Sequence, residues 1–266
     1  MKTRVISSVV MLAIAGVCVF LSPVTRILFF AVVGGLCAYE FSVSVEKLEA
    51  KCTLWVMLVY LAAQGLLVFF DAGLFWYAVC FVFCVYLALF SGVIHKNVAG
   101  KGALFTLAGL SYPCLLAGLI MAISVSDIWA LTLILACLST WVCDSFALFG
   151  GKRFGRHKVA PSVSPNKTVE GCLCGAAFSL LAGVAVFFLA KLITPLPLGF
   201  CLASALICSS MGQIGDLAES LMKRMIGVKD FGNLIPGHGG MFDRADSLMF
   251  SIPTAYLCLM VTGLAA

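Results

Sequence analysis

Apolar residues run through this chain in long blocks separated by short polar breaks. Nine blocks stand out: residues 5–21, 24–43, 53–70, 73–92, 102–123, 126–149, 171–192, 197–222 and 245–264. A helix that crosses the hydrocarbon core of a bilayer needs about 20 consecutive apolar residues, and each block is close to that length. The breaks carry turn-forming residues. Pro23 separates the first two blocks, Asp71-Ala-Gly73 the third and fourth, and Pro195 and Pro197 the seventh and eighth. No internal repeat of the transporter kind and no low-complexity tract is evident. The pattern predicts an all-α polytopic membrane protein of about nine transmembrane helices. It divides into residues 1–123, with about five spans, and residues 124–266, with about four spans and two long polar loops at 150–170 and 223–244.

Composition sharpens this reading. Of 266 residues 62% are hydrophobic and 11% charged, and the mean hydropathy is +1.12. Soluble domains are about 45–50% apolar and about 25% charged. This excludes a soluble enzyme, a DNA-binding module, a disordered chain and a secreted disulfide scaffold, so the expected surroundings are lipid and not nucleic acid. The 13 cysteines lie mostly inside apolar blocks, without a C-x-x-C pair. They read as small buried hydrophobes. Met1-Lys-Thr-Arg4 and the apolar run after it look superficially like a signal peptide, but equally apolar blocks follow, and the run is expected to be a first, uncleaved span. A compact chain without a transit peptide suits a bacterial inner membrane.

The net charge of +5 is modest, but its distribution is not even. With nine spans, 15 of the 17 Lys and Arg residues fall on the side of the N-terminus, and only Arg26 and Lys191 fall on the other. Positive residues accumulate in cytoplasmic loops. The N-terminus and both long loops are therefore expected in the cytoplasm and Ala266 outside. The two loops hold nine of the 17 basic residues and are rich in Gly, Pro and Asn, which points to a site for an anion on the cytoplasmic face.

The eighth block carries Asp216, Glu219, Ser220, Lys223 and Arg224 at i, i+3, i+4, i+7 and i+8, a single polar stripe on a helix. Charges at membrane depth cost at least about 2.5–3.5 kcal/mol each unless they face a polar cavity. An internal Glu219–Lys223 ion pair accounts for part of the stripe but leaves Asp216 over. Asp144, near the end of the sixth block, is the other isolated charge, and a carboxylate among lipid headgroups is its plain alternative. The loop after it includes Ser164-Pro-Asn-Lys-Thr168, which sets a cation and hydroxyl donors just before a helix start. It lacks the spacing of a Walker A loop. The second loop runs from Lys229 through Gly237-His-Gly-Gly240 to Asp243, Arg244 and Asp246. Carboxylates without Cys or His clusters suit a hard cation, Mg²⁺ first. Asp144, Asp216, Asp243 and Asp246 supply oxygens, and Lys167, Lys223, Arg224, Lys229 and Arg244 supply charge for a polyphosphate. This is an inventory for phosphoryl or nucleotidyl transfer at a membrane surface.

The stretch from Ser220 to Asp246 resembles the signature of the phosphatidate cytidylyltransferases, also called CDP-diglyceride synthases, over about 27 consecutive positions without a gap. Trp141-Val-Cys-Asp144, Ser164-Pro-Asn-Lys-Thr168, Glu170-Gly171, Gly215-Asp-Leu-Ala-Glu-Ser220 and Tyr39-Glu40-Phe41 are also similar to that family. Val169 departs from it, since a Trp is usual there. The resemblance implies the reaction CTP + phosphatidate → CDP-diacylglycerol + pyrophosphate with Mg²⁺. It implies Asp216 and Asp246 as first metal ligands, with Asp144 and Asp243 next, and Glu219 orienting a metal-bound water or a cation. Lys167, Lys223, Arg224, Lys229 and Arg244 then bind phosphates, and Ser164, Asn166, Thr168 and Ser220 donate hydrogen bonds. His238 binds or protonates pyrophosphate, or simply orders its loop. The bilayer and a homodimer are the expected partners. The competing class is an ion or proton-coupled transporter with an intramembrane carboxylate site.

The charge asymmetry predicts that a cysteine at position 266, in a background without reactive native thiols, is labelled by an impermeant maleimide from outside. Labelling only after the inner face is opened reverses the topology.

Overall fold

The computed structural model describes residues 2–94, 99–235, 237 and 239–262. Each apolar block is helical over most of its described residues. The helices are α1 (Lys2–Leu21), α2 (Pro23–Val45), α3 (Leu54–Phe69), α4 (Leu74–Ile94), α5 (Ala99–Gly109), α6 (Leu115–Ser124), α7 (Trp129–Phe154), α8 (Val169–Ala190), α9 (Leu198–Ile226) and α10 (Phe242–Met260). The fifth block is one rod made of α5 and α6 joined by a π-turn at Leu110–Cys114, where Pro113 has no N–H to give the regular ladder. The sheet among the described residues is a hairpin of β1 (Lys158–Ala160) and β2 (Ser164–Thr168).

Among the described residues, six helical stretches are long and apolar enough to cross a membrane. They are Pro23–Leu48, Leu74–Ile94, Lys101–Ser124, Trp129–Phe154, Val169–Ala190 and Leu198–Ile226. Val9–Leu21 and Leu54–Phe69 are apolar but shorter, and α10 opens with Asp243, Arg244 and Asp246. Among the described residues, six of the nine expected spans thus meet the length and apolarity of a crossing. The outward faces are oily: Leu74 is 84% and Phe75 70% exposed on α4, as suits helices solvated by lipid.

The chain forms two compact units, Met1–Val125 with Met225–Arg244, and Ser126–Arg224 with Ala245–Ala266. In the first, Ser22 caps α2 in a reciprocal box with Thr25, and Pro23 takes the first helical turn, where a missing N–H costs nothing. Phe41, Met57, Tyr60, Leu110 and Met121 are fully buried in this unit. The hydroxyl of Thr106 accepts the N–H of Thr53 at 2.8 Å, tying the start of α3 to α5.

In the second unit α7 lies against α8, and the contact is narrow. A Cβ on Gly175 would stand 2.6 Å from the carbonyl oxygen of Cys143 and 2.9 Å from the Cβ of Ala147. Phe146 and Phe178 stack at 4.1 Å beside it. Small residues at such crossings let dispersion replace the hydrophobic drive that lipid does not provide. Hydroxyls add cross-helix bonds: Ser209 donates to Ser179 at 3.0 Å, and Thr140 to Ser251 at 3.0 Å. The loop expected at 150–170 is shorter than its sequence suggests, because α7 continues to Phe154 and the hairpin occupies most of the rest. Glu170 gathers the chain there, accepting N–H groups of Arg156 at 3.0 Å and His157 at 3.1 Å.

Gly175→Val is expected to lower the melting temperature of the detergent-solubilised protein by several degrees, since overpacking a tight contact typically costs about 1–3 kcal/mol. The readout is thermal unfolding followed by loss of monodispersity on a sizing column.

Candidate functional site

Helix α9 presents its polar stripe as the sequence spacing requires, and the structure adds what it faces. Gly215, immediately before Asp216, leaves no room for a side chain. A Cβ there would lie 2.7 Å from the carbonyl oxygen of Asp246 and 2.9 Å from the ring of Phe250 on α10. That close approach brings together Asp216, Glu219 and Asp246, each with a carboxylate oxygen within 4.8 Å of the others. Two ligands of one Mg²⁺, with bonds of about 2.0–2.1 Å, lie at most about 4.2 Å apart. Adjacent ligands on such an octahedral ion lie closer, at about 2.9 Å, so side-chain rotation would draw the three oxygens together; three carboxylate oxygens are the donor set of a hard divalent cation.

Two lysines answer the carboxylates. Lys167, at the end of β2, donates to Asp216 Oδ2 at 2.8 Å and to the carbonyl of Gln213 at 2.9 Å. Lys223 forms an i, i+4 ion pair with Glu219, which is fully buried. Asp144, on an exposed part of α7, interacts electrostatically with Asp216 and Lys167. Three carboxylates and two ammonium groups leave one net negative charge, and Asp144 adds a second. A divalent cation would neutralise both. Gln213 secures the base of the cluster from below, its amide nitrogen donating to the Cys172 carbonyl at 3.2 Å and to the Cys143 sulfur at 2.9 Å.

The hairpin residues divide. Thr168 is the N-cap of α8, its hydroxyl accepting the Gly171 N–H at 3.2 Å, so it anchors the helix start. Asn166 is exposed and Ser164 half-buried beside it in β2. Arg224 donates from Nε to the Val163 carbonyl at 3.0 Å, joining the end of α9 to the hairpin turn. Ser220 is half-buried on α9.

The other expected residues belong to the first unit. Lys229 and Arg244 line a cavity of about 550 Å³ with Asp230, Asn233, Ile235 and the backbone at Gly237 and Gly239. Asp243 is 9% exposed and faces its own loop: the Phe231 N–H reaches it at 3.1 Å and the Gly240 N–H at 2.9 Å. His238 lies outside the described residues. Asp230 and Asn233 were not singled out from the sequence, although they sit within the Lys229–Asp246 stretch. Nothing in their spacing distinguishes a cavity wall from a solvated loop.

The model of the cytidylyltransferase family matches residues 2–262. The phosphatidate cytidylyltransferase of Bacillus subtilis (strain 168) is 45% identical over 134 residues, 50% of this chain and 49% of that protein. The phosphatidate cytidylyltransferases of Staphylococcus aureus (strain COL) and Staphylococcus haemolyticus (strain JCSC1435) are each 42% identical over 125 residues, 47% of this chain and 47% of each relative. The chain spans about half the length of the curated relatives it matches.

Gly215→Val adds and removes no charge, yet it must widen the approach of α10 to α9. It is expected to weaken divalent-cation binding at least about tenfold, read from Mn²⁺ titration by electron paramagnetic resonance; unchanged affinity means that the three carboxylates do not act together.

Proposed function

We propose that this chain, which belongs to the cytidylyltransferase family, is a membrane-embedded phosphatidate cytidylyltransferase that makes CDP-diacylglycerol and pyrophosphate from CTP and phosphatidate. The observation that carries the reading is the cluster of Asp216, Glu219 and Asp246 with Lys167 and Lys223 against it. The names of the curated relatives support the same substrates, and the apolar helices support a bilayer setting. A transporter is not favoured, because the family match covers residues 2–262 and the family is one of transferases.

In this reading a phosphate oxygen of the lipid attacks the α-phosphorus of CTP. A new O–P bond forms, and the bond from the α-phosphorus to the bridging oxygen breaks, so that pyrophosphate leaves with the electron pair. A phosphomonoester is mostly dianionic at pH 7, so no strong protein base is needed. The obstacle is the mutual repulsion of two polyanions. Asp216, Glu219 and Asp246 would hold Mg²⁺, with Asp144 close by. When bound, that ion supplies charge to screen the repulsion and to stabilise the leaving oxygen. Lys167 and Lys223 keep the carboxylates in place and contribute positive charge toward phosphate. Lys229 and Arg244 give the cavity of the first unit an affinity for phosphate, and in the second unit Arg224 and the hairpin hydroxyls offer donors of their own to an anion. Asp243 shapes the loop through its two N–H contacts. The site faces the cytoplasm of a bacterial cell, a placement supported by the 15 to 2 split of basic residues and by the bacterial relatives.

The test is pyrophosphate release from CTP by the protein reconstituted in vesicles containing phosphatidate. Release should require Mg²⁺ and phosphatidate together, and its absence overturns the assignment. Asp216→Asn should stay folded and lose at least about 10²–10³ in rate, the usual cost of removing one electrostatic stabiliser of a transition state. Lys47→Ala, an exposed side chain just after α2 that belongs to neither the carboxylate cluster nor the cavity lining, should stay near the wild-type rate. An Asp216→Asn protein with undiminished turnover would instead make the α9 stripe a structural ladder of ion pairs.

A further inference from the structure

Helix α2 carries a buried carboxylate that the proposed chemistry does not use. Glu40 is 3% exposed, and it reaches across 201 residues of sequence to the loop before α10. The Met241 N–H donates to Oε1 at 3.0 Å and the Phe242 N–H to Oε2 at 2.9 Å. Phe242 begins α10, so its N–H is one of the donors that a helix start leaves without an internal acceptor, and an anion is favoured there. One turn further along α2, the Ser44 hydroxyl donates to the Phe231 carbonyl at 2.9 Å. Between them Phe41 packs on Phe231 at 6.0 Å, and Phe231 packs on Phe242 at 4.7 Å.

The loop backbone closes on this carboxylate from two sides. A Cβ on Gly232 would stand 2.6 Å from Cδ of Glu40, and one on Gly240 would stand 2.8 Å from the same atom. Asp243 grips the loop from its other end through Phe231 and Gly240. Four backbone N–H groups thus answer two buried carboxylates, one from α2 and one from the first turn of α10. Two donors on adjacent residues ask for two acceptor oxygens on one side chain, which Glu supplies and Gln does not.

We infer that Glu40 is a positioning residue: its carboxylate holds the backbone at Gly232 and at Gly240–Phe242 in the shape that sets Lys229, Asn233 and Arg244 around the 550 Å³ cavity. Helix α2 is then a template for the anion-binding loop, as well as part of the membrane scaffold. The consequence for turnover rests on the reading of that cavity as a site for the phosphates of CTP; the structural claim does not.

The experiment is hydrogen exchange on the full chain in lipid nanodiscs, with steady-state kinetics on the same preparations. In Glu40→Ala, peptides covering 231–242 should exchange at least about tenfold faster, while peptides of α7 and α8 keep their wild-type rates. The apparent KM for CTP should rise about tenfold, by a larger factor than kcat falls, because the cavity is less often in its binding shape. Glu40→Gln keeps one acceptor and should fall between wild type and Glu40→Ala on both measures. If Glu40→Ala does not accumulate, Glu40→Gln decides by the same exchange criterion. Unchanged exchange in 231–242 overturns the inference, as does an increase spread evenly over the whole chain. A wild-type protein that releases no pyrophosphate overturns the proposed function, and the exchange comparison still decides the role of Glu40.

Discussion

A carboxylate packed among apolar helices must be met by a cation or by N–H donors, and the functional parts of this structure are arranged around that requirement. Ionised groups in a low-dielectric interior cost several kcal/mol after relaxation unless they are paired. Glu219 has Lys223 one turn away, and Asp216 has Lys167 from a separate strand. Glu40 and Asp243 use main-chain N–H groups instead. The two solutions differ in what they leave open. An ion pair can exchange its ammonium for a metal ion, whereas a carboxylate seated on backbone donors fixes the chain that provides them.

Close helix approach is what makes the first solution available. Side chains on α9 and α10 converge because Gly215 lets the two backbones come near, and Thr140 with Ser251 ties α7 to α10 through a hydroxyl contact. Among lipid tails no hydrophobic gain drives helices together, so small residues and shared hydroxyl bonds bear that role. The architecture that suits the membrane and the architecture that gathers the carboxylates are therefore one set of contacts.

Membership of the cytidylyltransferase family gives the carboxylate cluster its chemical context. Helices α9 and α10 carry the three carboxylates on regular helical elements rather than on loops.

Much of this was legible in the chain. Block length and apolarity determined helices and a bilayer setting, because a span is a local property of about 20 residues. The stripe of Asp216, Glu219 and Lys223 was fixed by helical period alone, and so was the Glu219–Lys223 pair. The crossing count was less legible: among the described residues α3 is shorter than a span and α10 opens with three charges, and the sequence pattern does not separate a short buried helix from a crossing. The extent of α7 past residue 149 and the hairpin after it were also hidden, since polar helix ends and short strands lack a periodic signal. Only the tertiary structure decided that Lys167 pairs with Asp216 across 49 residues, that Asp246 joins Asp216 and Glu219 while Asp243 turns to its own loop, and that Glu40 answers Met241 and Phe242. The reason is physical: periodicity reports which face of one element a residue occupies, whereas these pairings depend on which faces meet, and that is set by packing between segments far apart in the chain.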